Sequence, residues 1–144
     1  MSKKSDIMDL LNKYKVGLIM QLKIYINTIF ISLSTSLLLL LGGYDKILSL
    51  LIFMVVADYF TGVARGFKNK NLSSSVGAYG IFKKICIFIV IAIAHKFDGL
   101  GLSEPVIRTL AIMAYISNEG ISLLENMNAL GVWIPDVIKK KLQK

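Results

Sequence analysis

Between Ile24 and Gly43 the chain carries no ionisable side chain other than Tyr25. As a helix rising ~1.5 Å per residue, that run is roughly 30 Å long, about the hydrocarbon thickness of a bilayer. It predicts a membrane span over about 24–41. A second apolar run predicts a span over 47–64, and only Gly42-Gly43-Tyr44-Asp45-Lys46 lies between the two. So short a turn makes the two antiparallel neighbours. A third run is weaker. Its uncharged core, Ile85–Ala94, is too short to span alone. It spans as 78–97 if the helix starts near Ala78 and Lys83 and Lys84 snorkel back to the headgroups. Asp98-Gly-Leu-Gly-Leu-Ser-Glu-Pro105 then breaks the helix. Pro105 suits a first helical turn and Ser103 a cap, which opens a fourth span over 106–124.

Residues 5–20 follow a different pattern. Ile7, Leu10, Leu11, Tyr14 and Leu18 recur at helical spacing, with Asp6, Asp9, Lys13 and Lys15 between them and Ser5 placed to cap. This predicts an amphipathic helix, lying on the membrane or standing as a soluble stub. The organisation expected is a basic amphipathic segment over 1–22, a membrane domain over 23–130 and a basic tail over 131–144. Lysines spread over residues 3–23, with no small-residue cleavage site after Leu41, do not resemble a signal peptide.

Composition strengthens the membrane reading. Apolar residues make up 55% of the chain, charged residues 18%, and mean hydropathy is +0.65; soluble domains are less apolar and more charged. The net charge of +8 would suggest nucleic acid in a soluble protein. Here the cations flank apolar segments without a basic-aromatic surface pattern, so a lipid bilayer and not nucleic acid is the expected partner. The cations also set a topology. The N-terminal flank has five Lys against two Asp, the 65–84 stretch five cations and no acid, and the tail after Trp133 four Lys against one Asp. The other two turns are nearly neutral. Both termini and the basic loop of Arg65, Lys68, Lys70, Lys83 and Lys84 are then expected in the cytoplasm. Four spans satisfy this pattern; three would leave a basic segment outside. Trp133 has the amphipathic character of an interfacial anchor.

Polar residues within the spans are the candidate functional positions. Thr28, Ser32, Thr35 and Ser36 share one side of the first span, as at a helix–helix interface or, less simply, a pore lining. Asp58 follows eight consecutive apolar residues, Leu50–Ala57. An acid inside a spanning helix is costly in lipid. Two placements are open: near the inner interface, capped by Thr61 or reaching a lysine, or facing a bundle interior. Gly62 and Gly66 form a G-x-x-x-G step one turn beyond Asp58, which favours close helix approach on that face. In the fourth span Ala111, Tyr115, Asn118, Ser122 and Glu125 recur at spacings of three and four, with Glu119 adjacent. Catalytic constellations are missing. Cys86 and His95 are each the only residue of their type, and Gly77-x-x-Gly80-x-x-Lys83-Lys84 lacks the phosphate-loop spacing. No enzymatic activity, cofactor or metal is expected.

Several segments resemble a known family. "DYFTG" (58–62), "KNLSSSVGAYGIFKK" (70–84), Asp98, and "NEGISLLENMNALGVWIP" (118–135) match, in order, the pattern of the toxin-secretion/phage-lysis holins. The resemblance covers about residues 47–142 and leaves the first 46 unassigned. It implies an all-α integral membrane protein of the bacterial host's cytoplasmic (inner) membrane, many relatives being drawn with three spans. It further implies a homo-oligomer that opens lesions, releasing a peptidoglycan-degrading endolysin or a toxin and lysing the host. Two other readings stand beside it: a small channel or transporter for ions or small solutes, using Asp58 and Glu119, and a structural membrane scaffold. The apparent lack of an inverted repeat argues against a transporter.

Overall fold

The computed structural model describes residues 2–70, 73–101, 104–136 and 138. Four helices follow in order: α1 (Ser2–Leu40), α2 (Lys46–Lys68), α3 (Ser74–Asp98) and α4 (Val106–Leu130). No strand occurs among the described residues. Two compact units emerge: Met1–Leu39, which is essentially α1, and Leu40–Lys144, which contains the other three helices. The all-α membrane architecture expected from the sequence is present.

Three helices are long and apolar enough to cross a membrane: Ile7–Leu40 within α1, Lys46–Lys68, and Gly77–Asp98. The third segment therefore does extend N-terminally past its short apolar core. Helix α4 equals α3 in length, yet it is not among these three. Arg108, Asn118, Glu119, Glu125, Asn126 and Asn128 dilute its apolar content, so α4 has the length expected of a fourth span and a more polar composition than the other three. A second difference concerns the N-terminus. The amphipathic stretch and the first span are one unbroken helix, about 58 Å long at 1.5 Å per residue. No proline interrupts it, and Gly17 alone costs too little to break it. It begins at Ser2, ahead of the Ser5 cap expected from the sequence. Ser103 and the tail lysines Lys139, Lys140, Lys141 and Lys144 lie outside the described residues.

In the second unit α4 packs along both α2 and α3, which touch each other far less. Each helix turns one row inward, at steps of three and four residues on α2 and α3 and of four and seven on α4. The row is Leu48, Leu51, Val55 and Asp58 on α2, and Ile87, Ile91, Ala94 and Asp98 on α3. On α4 it is Arg108, Ile112, Glu119 and Asn126. Leu48, Leu51, Ile91 and Ile112 are fully enclosed. In lipid such apolar contacts hold helices together only by packing, because the tails outside are equally apolar. The polar members of the rows therefore carry more of the specificity. They fall at the two ends of this apolar centre.

Helix ends are closed by side chains. Asp45 precedes α2 in extended conformation and accepts from the Leu48 amide at 2.8 Å. Helix α4 is capped from a distance: the Asp98 carboxylate accepts from the Ile107 and Arg108 amides, each at 2.8 Å. Gly131, at φ 93°, ends α4 with the left-handed residue that favours glycine. Asp98→Asn keeps one acceptor and loses the other. It is expected to lower stability by about 1–2 kcal/mol, read as a lower thermal midpoint in detergent.

Candidate functional site

The site grows out of the inward rows. On α3, Lys84 lies three residues before Ile87 and shares its side of the helix; Lys83 is rotated away. Lys83 is exposed, with its ammonium 4.8 Å from the centre of the Tyr79 ring. Lys84 instead turns into the bundle. Its Nζ donates to Asp58 Oδ2 of α2 at 2.6 Å and to Glu119 Oε2 of α4. The side chains are 17% exposed for Lys84, 9% for Asp58 and 3% for Glu119. This corrects the sequence expectation that Lys84 snorkels with the basic loop. A lysine of that length reaches either the headgroups or two carboxylates on neighbouring helices, and only the second neutralises the buried acids.

Asn126 completes the cluster. Its Nδ2 donates to Asp58 Oδ1 at 3.0 Å and to Thr61 Oγ1 at 3.4 Å, while its Oδ1 accepts from Arg65 at 3.3 Å. The Thr61 hydroxyl donates back to the Ala57 and Asp58 carbonyls. Of the placements weighed for Asp58, the geometry has the carboxylate facing the bundle interior and reaching a lysine, while the Thr61 hydroxyl serves backbone carbonyls and does not cap it. Gly62 lies beside Asn126, where an added Cβ would stand 3.5 Å from the amide nitrogen. The cluster counts two carboxylates against one ammonium and is bounded by two open cavities. One, of about 440 Å³, lies against α3 and α4 and includes Tyr115, Asn118 and Ser122. The other, of about 650 Å³, lies against α2 and α3 and includes Gly62, Gly66, Gly77 and Gly80.

The remaining expected positions are more peripheral. Asn118 and Glu125 are exposed and Ser122 is half-buried. The expected face of α4 is rotated by one residue, roughly 100°, from the buried face, which runs through Glu119 and Asn126. Arg65, Lys68 and Lys70 are exposed at the end of α2. Lys68 donates to the Ala129 carbonyl at 2.9 Å, tying that end to the C-terminus of α4. Trp133 is 79% exposed, beside a buried Ile134.

A second cluster closes the opposite end of the bundle. Arg108, 2% exposed, donates to Asp45 Oδ2 at 2.6 Å, to the Gly43 carbonyl at 3.2 Å and to the Leu41 carbonyl. Sequence reading assigns it no role. Its phase with Ile112 and Glu119 on α4 is the available signal. Partial burial pushes the Asp45 carboxyl up. Hydrogen bonds from Arg108 and the Leu48 amide, with the Arg108 charge, outweigh that and hold it below its ordinary value. A lowered carboxylate stabilises the fold above its unfolded value, and that stability is lost as pH falls through the folded one. The advantage of the native protein over Asp45→Asn in thermal midpoint is therefore expected to be constant above about pH 5 and to shrink below about pH 4. Among the described residues no group of three or more His, Cys, Asp and Glu side chains is arranged to hold a metal.

Comparison with known proteins agrees with this picture. The model of the bacteriophage holin family matches residues 35–144. A Clostridium perfringens protein, an uncharacterised 14.9 kDa product of the nagH 3′ region, is 41% identical over 121 residues, covering 83% of this chain and 92% of that protein. An uncharacterised protein of Listeria monocytogenes is 39% identical over 100 residues, 69% of this chain and 71% of its own. A probable holin of Bacillus phage phi105 is 34% identical over 102 residues, covering 71% of this chain and 76% of that protein. No solved structure matches. With a family match over three quarters of its length and three helices fit to cross a bilayer, the chain belongs to the bacteriophage holin family, as a multi-pass protein of the bacterial cytoplasmic membrane.

Proposed function

We propose that the protein oligomerises in the cytoplasmic membrane and opens lesions through which an endolysin, or a toxin, leaves the cell, ending in host lysis. The observation carrying this reading is the Asp58–Lys84–Glu119 cluster, buried between three helices and bounded by cavities on two sides. In a separate bundle the ammonium satisfies both acids and keeps them from lipid. When copies assemble, the same surfaces can exchange intramolecular partners for water and neighbouring chains without exposing a bare charge to hydrocarbon. Polar groups are thereby stored inside each copy and become the rim of a lesion.

The same reading places α4 across the membrane. Arg108, Glu119 and Asn126 face protein, while Leu110, Met113 and Ile121 are exposed along with Asn118 and Glu125. Four crossings put both termini and the 65–84 loop in the cytoplasm. Arg65, Lys68, Lys70 and Lys83 would attract anionic lipid there, and Trp133 would anchor the interface. Thiol labelling of Lys68→Cys and Lys140→Cys, in a Cys86→Ser background, should find both on the cytoplasmic face.

A test of function expresses the chain with a cytoplasmic murein hydrolase while membrane potential and release of folded cytoplasmic protein are followed together. Abrupt protein release and lysis are expected. Depolarisation without release would favour the second reading, a small ion channel, to which the cavities beside the charged cluster also lend themselves. Absence of both effects would leave only a scaffold.

A further inference from the structure

Because α1 is one continuous helix, two features that look separate in the sequence have a fixed phase. Ile7, Leu11, Tyr14 and Leu18 precede Lys23. Thr28, Ser32 and Thr35 follow it. With Gln21, Tyr25 and Leu39 between and beyond, they form a single row stepping by four and three residues in alternation from 7 to 39. That is a seven-residue repeat, the pattern of a helix seam that meets another helix along its whole length. Every side chain of the row is exposed. The charged residues Asp9, Lys13, Lys15 and Lys23 all lie off it.

The chemistry of the row changes where its surroundings change. In water a helix seam must be apolar, because burial drives association. In lipid an apolar seam gains nothing over the tails, and small hydroxyl residues that permit close approach serve better. Apart from Gln21 the row is aliphatic and aromatic before Lys23, and from Tyr25 to Thr35 each of its members bears a hydroxyl, with Leu39 closing it. The Thr28 hydroxyl donates to the Ile24 carbonyl at 2.9 Å, which leaves its oxygen able to accept across an interface. A pore lining would need the hydroxyls but not the apolar continuation. A helix lying flat on the membrane would need the apolar part but not the hydroxyls in phase with it.

We propose that this row is a self-association seam, meeting the same row of a second copy of the chain. It deepens the oligomerisation read above by naming its surface. Insertion gives every copy the same orientation, so the paired helices are parallel and identical residues face each other. Ten positions on each of two helices, giving up about 60 Å² apiece, remove roughly 1,200 Å² from solvent and lipid, the lower edge of a stable interface. A straight helix drifts off a seven-residue repeat by ~20° per heptad, so the pair must wind left-handed to keep contact. The family match begins at residue 35, so eight of the ten row positions precede the stretch that the family model covers.

Disulfide trapping tests the seam in the full chain in membranes. Cys86 is the only cysteine, so Cys86→Ser gives a clean background. Single cysteines replace Leu18, Tyr25, Thr28 or Ser32 on the row, and Val16, Lys23, Phe30 or Leu37 on the opposite side. Copper-phenanthroline oxidation is expected to yield covalent dimer at row positions on both sides of Lys23, about fivefold or more above the opposite side, in keeping with the strength of interhelical contacts in lipid. Equal yields on the two sides, a peak on another row, or no dimer anywhere while the variants accumulate normally would overturn the seam. The last result would place the row against the chain's own bundle or a different protein. Protein release by the same variants separates the two proposals. Row dimers without release leave the seam standing and remove the lesion; release without row dimers does the reverse.

Discussion

Lys84→Met is expected to cause the largest loss of stability of any single substitution in the bundle. The ammonium is the only cation bonded to Asp58 and Glu119 among the described contacts. Its removal leaves two carboxylates facing each other between helices. Breaking a buried ion pair in this way costs roughly 3–5 kcal/mol, a large part of the ~5–15 kcal/mol that holds a typical domain folded. The steady-state level in the membrane should fall sharply. In detergent, the temperature at which half-buried Cys86 becomes reactive to a thiol dye should drop by several degrees or more. Asp58→Asn and Glu119→Gln, made singly, should each cost less, because one acid remains to neutralise Lys84. The decisive comparison is Lys84→Met combined with both Asp58→Asn and Glu119→Gln. That triple variant carries no stranded charge, and the amide introduced at position 58 still offers a carbonyl to Asn126. Substantial recovery is expected. If it is as unstable as Lys84→Met alone, charge balance is not what Lys84 provides.

Arg108→Met is expected to have the second largest effect, at the other end of the bundle. The guanidinium serves three acceptors from one buried position: Asp45 and the Leu41 and Gly43 carbonyls. Its loss leaves the carbonyls unsatisfied, while Asp45, whose side chain is 43% exposed, turns to water. The cost is therefore about 2–4 kcal/mol and below that of Lys84→Met. Arg108→Lys should fall between, because a single ammonium cannot reproduce the planar fork. The 41–45 turn should then become the first site of proteolytic nicking. Gly42→Ala tests the same contact from the opposite side. Gly42 sits at φ 84°, and an added Cβ would stand 2.7 Å from Arg108 Nε and 2.8 Å from His95 Nδ1. Both strain and clash oppose it, and nicking should again move to this turn.

Much of the fold is written in the order of apolar runs. Their lengths identify α2 and α3 to within a few residues, and the polarity of the turns marks where the chain reverses. The site is less legible, for a physical reason. Asp58 announces itself because an acid after eight apolar residues needs a partner. Nothing local says that the partner is Lys84 and not a headgroup. A lysine near a span end satisfies either, and the choice depends on Glu119 arriving from a helix 35 positions away. Phase holds the missing information. Lys84 keeps step with Ile87, Ile91 and Ala94, as Arg108 does with Ile112 and Glu119. Asn126 repeats at seven residues from Glu119, a position that the adjacent polar face of Asn118, Ser122 and Glu125 obscures. Asp98 stands out only through the family resemblance, and its service as the cap of α4 depends on the geometry of a turn that periodicity does not describe.

The cluster also constrains how the molecule is made. Synthesis delivers Asp58 first, Lys84 next and Glu119 with Asn126 last, so the acid of α2 enters the bilayer before anything exists to answer it. The nascent chain must shelter that carboxylate until α3 brings the amine. Helix α4, the least apolar of the three, arrives last and brings the second acid together with most of the helix packing, so the bundle is complete only with it.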